Sequence, residues 1–156
     1  MARLTLWLFV IALGLDLGAG IYEARVVVPL WAGGVPDTLA AGNPYARVAI
    51  DAGVGFWAYM TSAVAISAVL ALIFGLFAPH TGRLWRTAAT LVELCVVAWT
   101  LLYFRPTLVR LFMGHGVGLS ADQVAASVHR WVTLSRGRIA LSFLAWCAAL
   151  YALAIG

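Results

Sequence analysis

Four long apolar stretches occupy most of this 156-residue chain, and they leave it one class of fold. A hydrocarbon core of about 30 Å is crossed by roughly 20 apolar residues in a helix. Three stretches meet that length plainly, over residues 4–28, 54–77 and 84–104. The fourth is shorter at its apolar end, 139–155, and extends backwards through Trp131 to give 124–155. Within lipid every backbone N–H and C=O must be paired inside its own segment, so these stretches form helices and not strands. Composition agrees: charged residues are 10% of the chain, against about 25% in a soluble domain. The expected architecture is all-α, a single integral membrane domain over residues 1–156 built as an antiparallel four-helix bundle.

The first stretch has a competing reading. Arg3, the run from Leu4 to Leu15, and then Gly18, Ala19 and Gly20 resemble a secretory signal with small residues at a cleavage site. Apolar character resumes at Ile21 and continues through Val26, Val27 and Val28, which favours a retained transmembrane helix.

The three links differ in kind. Gly33, Gly34, Pro36, Gly42, Asn43 and Pro44 make the first a turn-rich loop, whereas Pro79, His80 and Gly82 mark a tight hairpin. The third carries Gly114, Gly116 and Gly118 and ends in Ser120-Ala-Asp-Gln123, a capping box that starts a helix at Ala121. Gly137 is a soft point along that helix, and no internal repeat is evident. Arginines are more numerous on the side of the long loops, but Arg25, Arg105, Arg136 and Arg138 lie at helix ends and need not be topological signals. Without them the two sides tie, and the hairpin's Arg83 and Arg86 are free of acidic neighbours in that link, so both termini are expected in the cytoplasm.

Ionisable residues inside the spans carry most of the chemical information, because a charge facing lipid costs several kcal/mol on most scales. Asp16 and Glu23 are two helical turns apart and share a face. Gly14 and Gly18 beside Asp16 form a small-xxx-small pair that admits a close helix neighbour. This face is expected to point inward toward Glu93, with Arg138 or Arg136 as counter-ion for Glu23. Such a cluster reads either as a polar clasp that orients helices or as a substrate or proton site.

No metal site is expected. His80 lies at the opposite end from His115 and His129, and no HxxxH or ExxH spacing occurs. Haem ligation by His129 alone is a minor alternative. Cys95 and Cys147 lack CxxC spacing and read as small embedded hydrophobes before they read as a redox pair. Among the seven tryptophans, Trp7, Trp31, Trp85 and Trp131 fit an aromatic belt at the membrane interfaces. Trp99, well inside the third helix, is the better candidate to line a cavity.

The polar and aromatic residues at the loop-side helix ends form several short motifs. Tyr22-Glu23 with Val27-Val28-Pro29-Leu30-Trp31, then Phe56-Trp57, resembles a group of small bacterial four-helix membrane proteins. Trp99-Thr100, Tyr103-Phe104-Arg105-Pro106 and Arg130-Trp131-Val132-Thr133-Leu134-Ser135 with Arg138 continue that resemblance over the whole chain. The group is itself similar to the anthrone-oxygenase-like membrane family, whose better-known members oxidise aromatic polyketides. That wider family often has a Trp, an Asn and an Arg spaced as Trp131, Ser135 and Arg138 are, with Ser135 standing here at the Asn position.

Two functional classes follow. In one, the bundle binds an amphipathic small molecule, aromatic or quinone-like, with an oxygenase-like activity implied by the resemblance. Glu23 and Arg138 would then be catalytic, as acid or base and as oxyanion holder. Tyr22, Trp57, Glu93, Trp99, Tyr103, Arg105, Trp131 and Ser135 would bind the ligand. In the other, the protein is a structural or accessory subunit whose arginines contact lipid headgroups or a partner, at about 1 kcal/mol each. Membrane lipids are partners in both readings, and a homo-oligomer is compatible with either. A transporter would need oligomerisation, since four helices are few for a pathway. Dispersed interfacial arginines disfavour nucleic acid. No cofactor is named by these residues.

Overall fold

The computed structural model describes residues 1–35, 37–39, 44–77, 81–112 and 118–156, without the side chains of residues 39, 44–52 and 112. Four helices account for nearly all of it, and the described residues contain no strand. Helix α1 runs Ala2–Ala32, α2 runs Pro44–Leu76, and α4 runs Ala121–Ile155. Helix α3 begins as Arg83–Trp99, passes through Thr100–Phe104 and ends as Arg105–Phe112. Each is long and apolar enough to cross a membrane. All four outrun the expected spans, because helical hydrogen bonding continues past the apolar stretch into the interfacial residues. The capping box starts α4 as expected: Ser120 Oγ accepts from the Gln123 amide at 3.3 Å, and Gln123 Oε1 accepts from the Ser120 amide at 2.9 Å. Gly137 causes no break.

The helices close into an antiparallel ring in which α1 packs on α2 and α4, and α3 on α2 and α4. Gly82 shows how tightly the hairpin end is drawn together. Its φ of 73° is left-handed, and a Cβ there would stand 3.0 Å from the Ala152 carbonyl oxygen of α4. The close approach expected of Gly14 and Gly18 holds at one of them. At Gly14 the Trp146 indole fills the space and donates to the Val10 carbonyl at 3.1 Å, whereas Gly18 is exposed with nothing nearby. The outer surface carries Leu8, Ile11, Leu15, Tyr59, Ile66, Leu102 and Leu144, an apolar coat suited to lipid.

Two apolar cores fill the interior. The hairpin-end core joins Leu6, Phe9, Leu13, Val64, Ala68, Ala71, Ala89, Ala145 and Ala149. Lipid is as apolar as these side chains, so their association rests on close van der Waals packing, which explains the alanines. The loop-end core is aromatic and joins Val28, Trp31, Phe104, Leu111, Val124, Val128 and Trp131. Trp31 and Trp131 are each 5% exposed, their rings 5.8 Å apart, so neither belongs to an interfacial belt. Trp7 and Trp85 remain on the surface, as a belt requires. Between the two cores lies a polar layer to which every helix contributes.

Both α1 and α3 contain a π-helical turn at this depth, Glu23–Val27 and Thr100–Phe104. The Val28 amide bonds back to the Glu23 carbonyl and the Arg105 amide to that of Thr100, five residues earlier in each case. Proline follows at once, as Pro29 and Pro106. A helical proline lacks an N–H and its ring collides with the carbonyl four residues back. The wider turn makes room for the ring, and such turns occur often at functional sites. The two hairpins thus share a device that no sequence repeat announces.

Candidate functional site

A cavity of about 260 Å³ opens in the loop-side half of the bundle. Trp31, Trp57, Phe104 and Trp131 supply aromatic walls, and Glu23 and Arg138 supply charge. Helix α2 lines it with small residues, Gly53, Ala58, Thr61, Ser62 and Ala65. Ala58, Thr61, Ser62 and Ala65 share one helical face, and their small side chains leave the volume of the cavity unfilled. Ala58, Ser62, Leu101 and Arg105 line the cavity and are also exposed, so it opens sideways between α2 and α3.

The polar groups are held within each hairpin. Trp57 Nε1 of α2 donates to Glu23 Oε1 of α1 at 3.0 Å. Arg138 Nη1 of α4 donates at 3.2 Å to Thr100 Oγ1 of α3, whose hydroxyl in turn donates to the Val96 carbonyl. The guanidinium carbon lies 5.0 Å from the Phe104 ring centroid and 5.8 Å from that of Trp57. Both distances are inside the range of cation–π attraction. An arginine carries five N–H donors, so Arg138 retains capacity for an incoming acceptor.

The ion pair expected between Glu23 and an arginine of α4 does not form. Glu23 bonds to the Trp57 indole and Arg138 to Thr100, and no arginine of the described residues forms a direct ion pair with a carboxylate. The alternative counter-ion, Arg136, is exposed. A hydrogen bond to an indole satisfies one carboxylate oxygen without asking two long side chains to meet across the bundle. Replacement should therefore be asymmetric. Glu23→Gln keeps an oxygen that can accept from Trp57, whereas Trp57→Phe strands the Glu23 oxygen in a partly buried site. Thermal melts in detergent should show a loss of about 1–3 kcal/mol for Trp57→Phe and clearly less for Glu23→Gln. A larger loss for Glu23→Gln would mean that the carboxylate's charge matters more than this bond.

Of the residues singled out from sequence, Glu23, Trp57, Arg105, Trp131 and Arg138 meet around the cavity. The others stand elsewhere. Tyr22 is exposed on the outer surface. Trp99 and Tyr103 pack edge-on against Phe104, each at 5.2 Å between centroids, and so sit behind the wall instead of forming it. Ser135 is buried in the helix packing and does not line the cavity. Glu93 is deeper, in a second and smaller cavity with Asp16, as the shared inward face predicts. Cys95 and Cys147 are free and exposed. His80 and His115, and the tips of the hairpin and third link, lie outside the described residues.

Thr61, Thr100, Phe104 and Trp31 were not among the expected ligand contacts. Helical spacing of Ala58, Thr61, Ser62 and Ala65 was a readable sign of a small-residue face. By sequence Trp31 fits the interfacial belt, and its burial depends on the aromatic packing at this end of the bundle. Compared with known protein families, curated proteins and solved structures, the chain finds no match.

Proposed function

We propose that the bundle takes an amphipathic small molecule, aromatic or quinone-like, from the bilayer into the loop-side cavity. The observation that carries this reading is the cavity itself, with four aromatic walls, a partly engaged guanidinium and a side opening toward lipid. Ligand pockets run from roughly 300 to 1,000 Å³, so about 260 Å³ suits a ring system whose tail stays in the membrane. Arg138 would hold an oxyanion or a ring oxygen. Glu23 would act as acid or base, a placement worth about 10²–10⁴-fold in a catalysed proton transfer. The resemblance to anthrone-oxygenase-like proteins extends the proposal to oxygenase-like chemistry on such a ring, in a bacterial inner membrane with cytoplasmic termini.

A second reading has its own support. Trp57–Glu23 joins α1 to α2 and Arg138–Thr100 joins α3 to α4, as helix-orienting clasps in a structural or accessory subunit would. Gentle purification, solvent extraction and mass spectrometry, run beside thermal melts, separate the two. The ligand reading expects a molecule on the wild type, retained by Tyr103→Phe and reduced tenfold or more by Arg138→Lys. That factor corresponds to about 1.4 kcal/mol, and lysine loses the planar fork that grips an oxyanion at two points. An empty wild type, with Arg138→Lys costing only stability, would support the accessory subunit instead.

A further inference from the structure

The second cavity is about 20 Å³, which is room for one water molecule. Asp16 of α1, Glu93 of α3 and Ser142 of α4 line it together with Thr61, Thr100 and Arg138. Glu93 is 1% exposed, and its Oε2 is buried without a hydrogen-bond partner. The Ser142 hydroxyl is the neutral polar group set beside this carboxyl. An unpartnered carboxylate oxygen in an apolar interior is expensive, and a carboxylic acid or a bridging water removes the penalty.

Charge counting points the same way. Two carboxylates and one guanidinium leave one negative charge if all three are ionised. The charged groups facing Glu93 are Asp16 from α1 and Arg138 from α4; α2 lines this cavity with Thr61 and Val64 and brings no charge to it. Glu23 lies near enough to Asp16 to add to the negative side. Arg138 is already engaged by Thr100 and two aromatic rings, and it would repel a metal cation. Nor do the described residues hold a group of three or more His, Cys, Asp or Glu suited to a metal ion. A single proton brings Asp16, Glu93 and Arg138 to neutrality and fits the space; Glu23, outside this cavity, only strengthens the case for holding it.

We propose that Asp16 and Glu93 share one proton across a water in this cavity, forming a proton-binding site in the middle of the bundle. The site needs no occupant in the larger cavity. Arg138, Thr61 and Thr100 line both cavities, however, so a proton released by a molecule in the first has an acceptor one side chain away.

Infrared spectroscopy of the full chain in lipid tests this through the C=O stretch of a protonated carboxyl, identified by its shift in heavy water. The wild type should show the band at neutral pH and lose it in alkaline buffer. Glu93→Gln and Asp16→Asn should each abolish it at neutral pH. Removing either partner ends the sharing, and the carboxyl that remains ionises beside Arg138. Asp37→Asn, at an exposed position, should leave it intact. A wild type without the band at neutral pH would overturn the proposal, whichever variants fold. So would a band that survives Asp16→Asn, which would mean that Glu93 is protonated by burial alone. Loss of the wild-type band on adding sodium chloride but not choline chloride would assign the site to a metal cation and also overturn it. None of these outcomes depends on a ligand in the larger cavity, so the two readings fail separately.

Discussion

Trp131→Ala is expected to lower the stability of the detergent-solubilised bundle by about 3–5 kcal/mol. Trp131 is 5% exposed, packs against Trp31 and against Phe104 at 5.7 Å, and donates its indole N–H to the Phe104 carbonyl at 3.3 Å. Truncation removes all three contacts at once and leaves a hole that rigid helices close only in part. Trp7→Ala is the comparison, since Trp7 is 46% exposed and surface changes usually stay within about 0.5 kcal/mol. Far-ultraviolet circular dichroism melts would read both. Equal, small losses would return Trp131 to the interfacial belt and remove the loop-end core from the fold's stability.

Arg138→Met should be the most pH-sensitive substitution in the chain. Arg138 is the cation that acts on Asp16, Glu23 and Glu93. Without it no other cation acts on these three carboxylates, and removing one member of a buried ion pair typically costs about 3–5 kcal/mol, an upper bound for the half-buried Arg138. Protons can replace the missing guanidinium at acidic pH and cannot do so at alkaline pH. Folded Arg138→Met therefore binds more protons than its unfolded chain, and its stability falls as pH rises. Melts of wild type and variant should diverge from mildly acidic toward alkaline buffer. A gap that stays constant with pH would show that Arg138 acts through packing on Phe104 and Trp57 and not through charge.

Much of the bundle was readable from the chain. Four spans, their antiparallel order, the Ser120–Gln123 cap and the convergence of unusual residues at one end all follow from local chemistry. So does the face shared by Asp16 and Glu23, which helical periodicity places on one side of α1 and which brings Asp16 into the cavity that holds Glu93. Partner choice was less readable. Glu23 had Arg138 and Arg136 within plausible sequence reach, and the structure gives it Trp57, because α2 brings an indole N–H to the carboxylate at 3.0 Å. Trp31 and Trp131 matched an interfacial composition rule, yet they pack on each other in the core. Trp99 and Tyr103 sit at the right depth but behind Phe104.

What the sequence by itself determined is the class of solvent and the backbone's answer to it. Few charges and long apolar stretches require lipid, and lipid requires each segment to satisfy its own hydrogen bonds as a helix. Prolines 29 and 106 likewise act locally, and the π turns beside them follow from ring geometry. Only the tertiary structure decided the cavity and the pairings around it. Those depend on how far each helix is rotated and how closely it approaches its neighbours. Between helices in lipid, the hydrophobic effect does not select among rotations. The selection comes from where small residues let backbones meet and where a few polar groups find a donor. Both are properties of all four helices together.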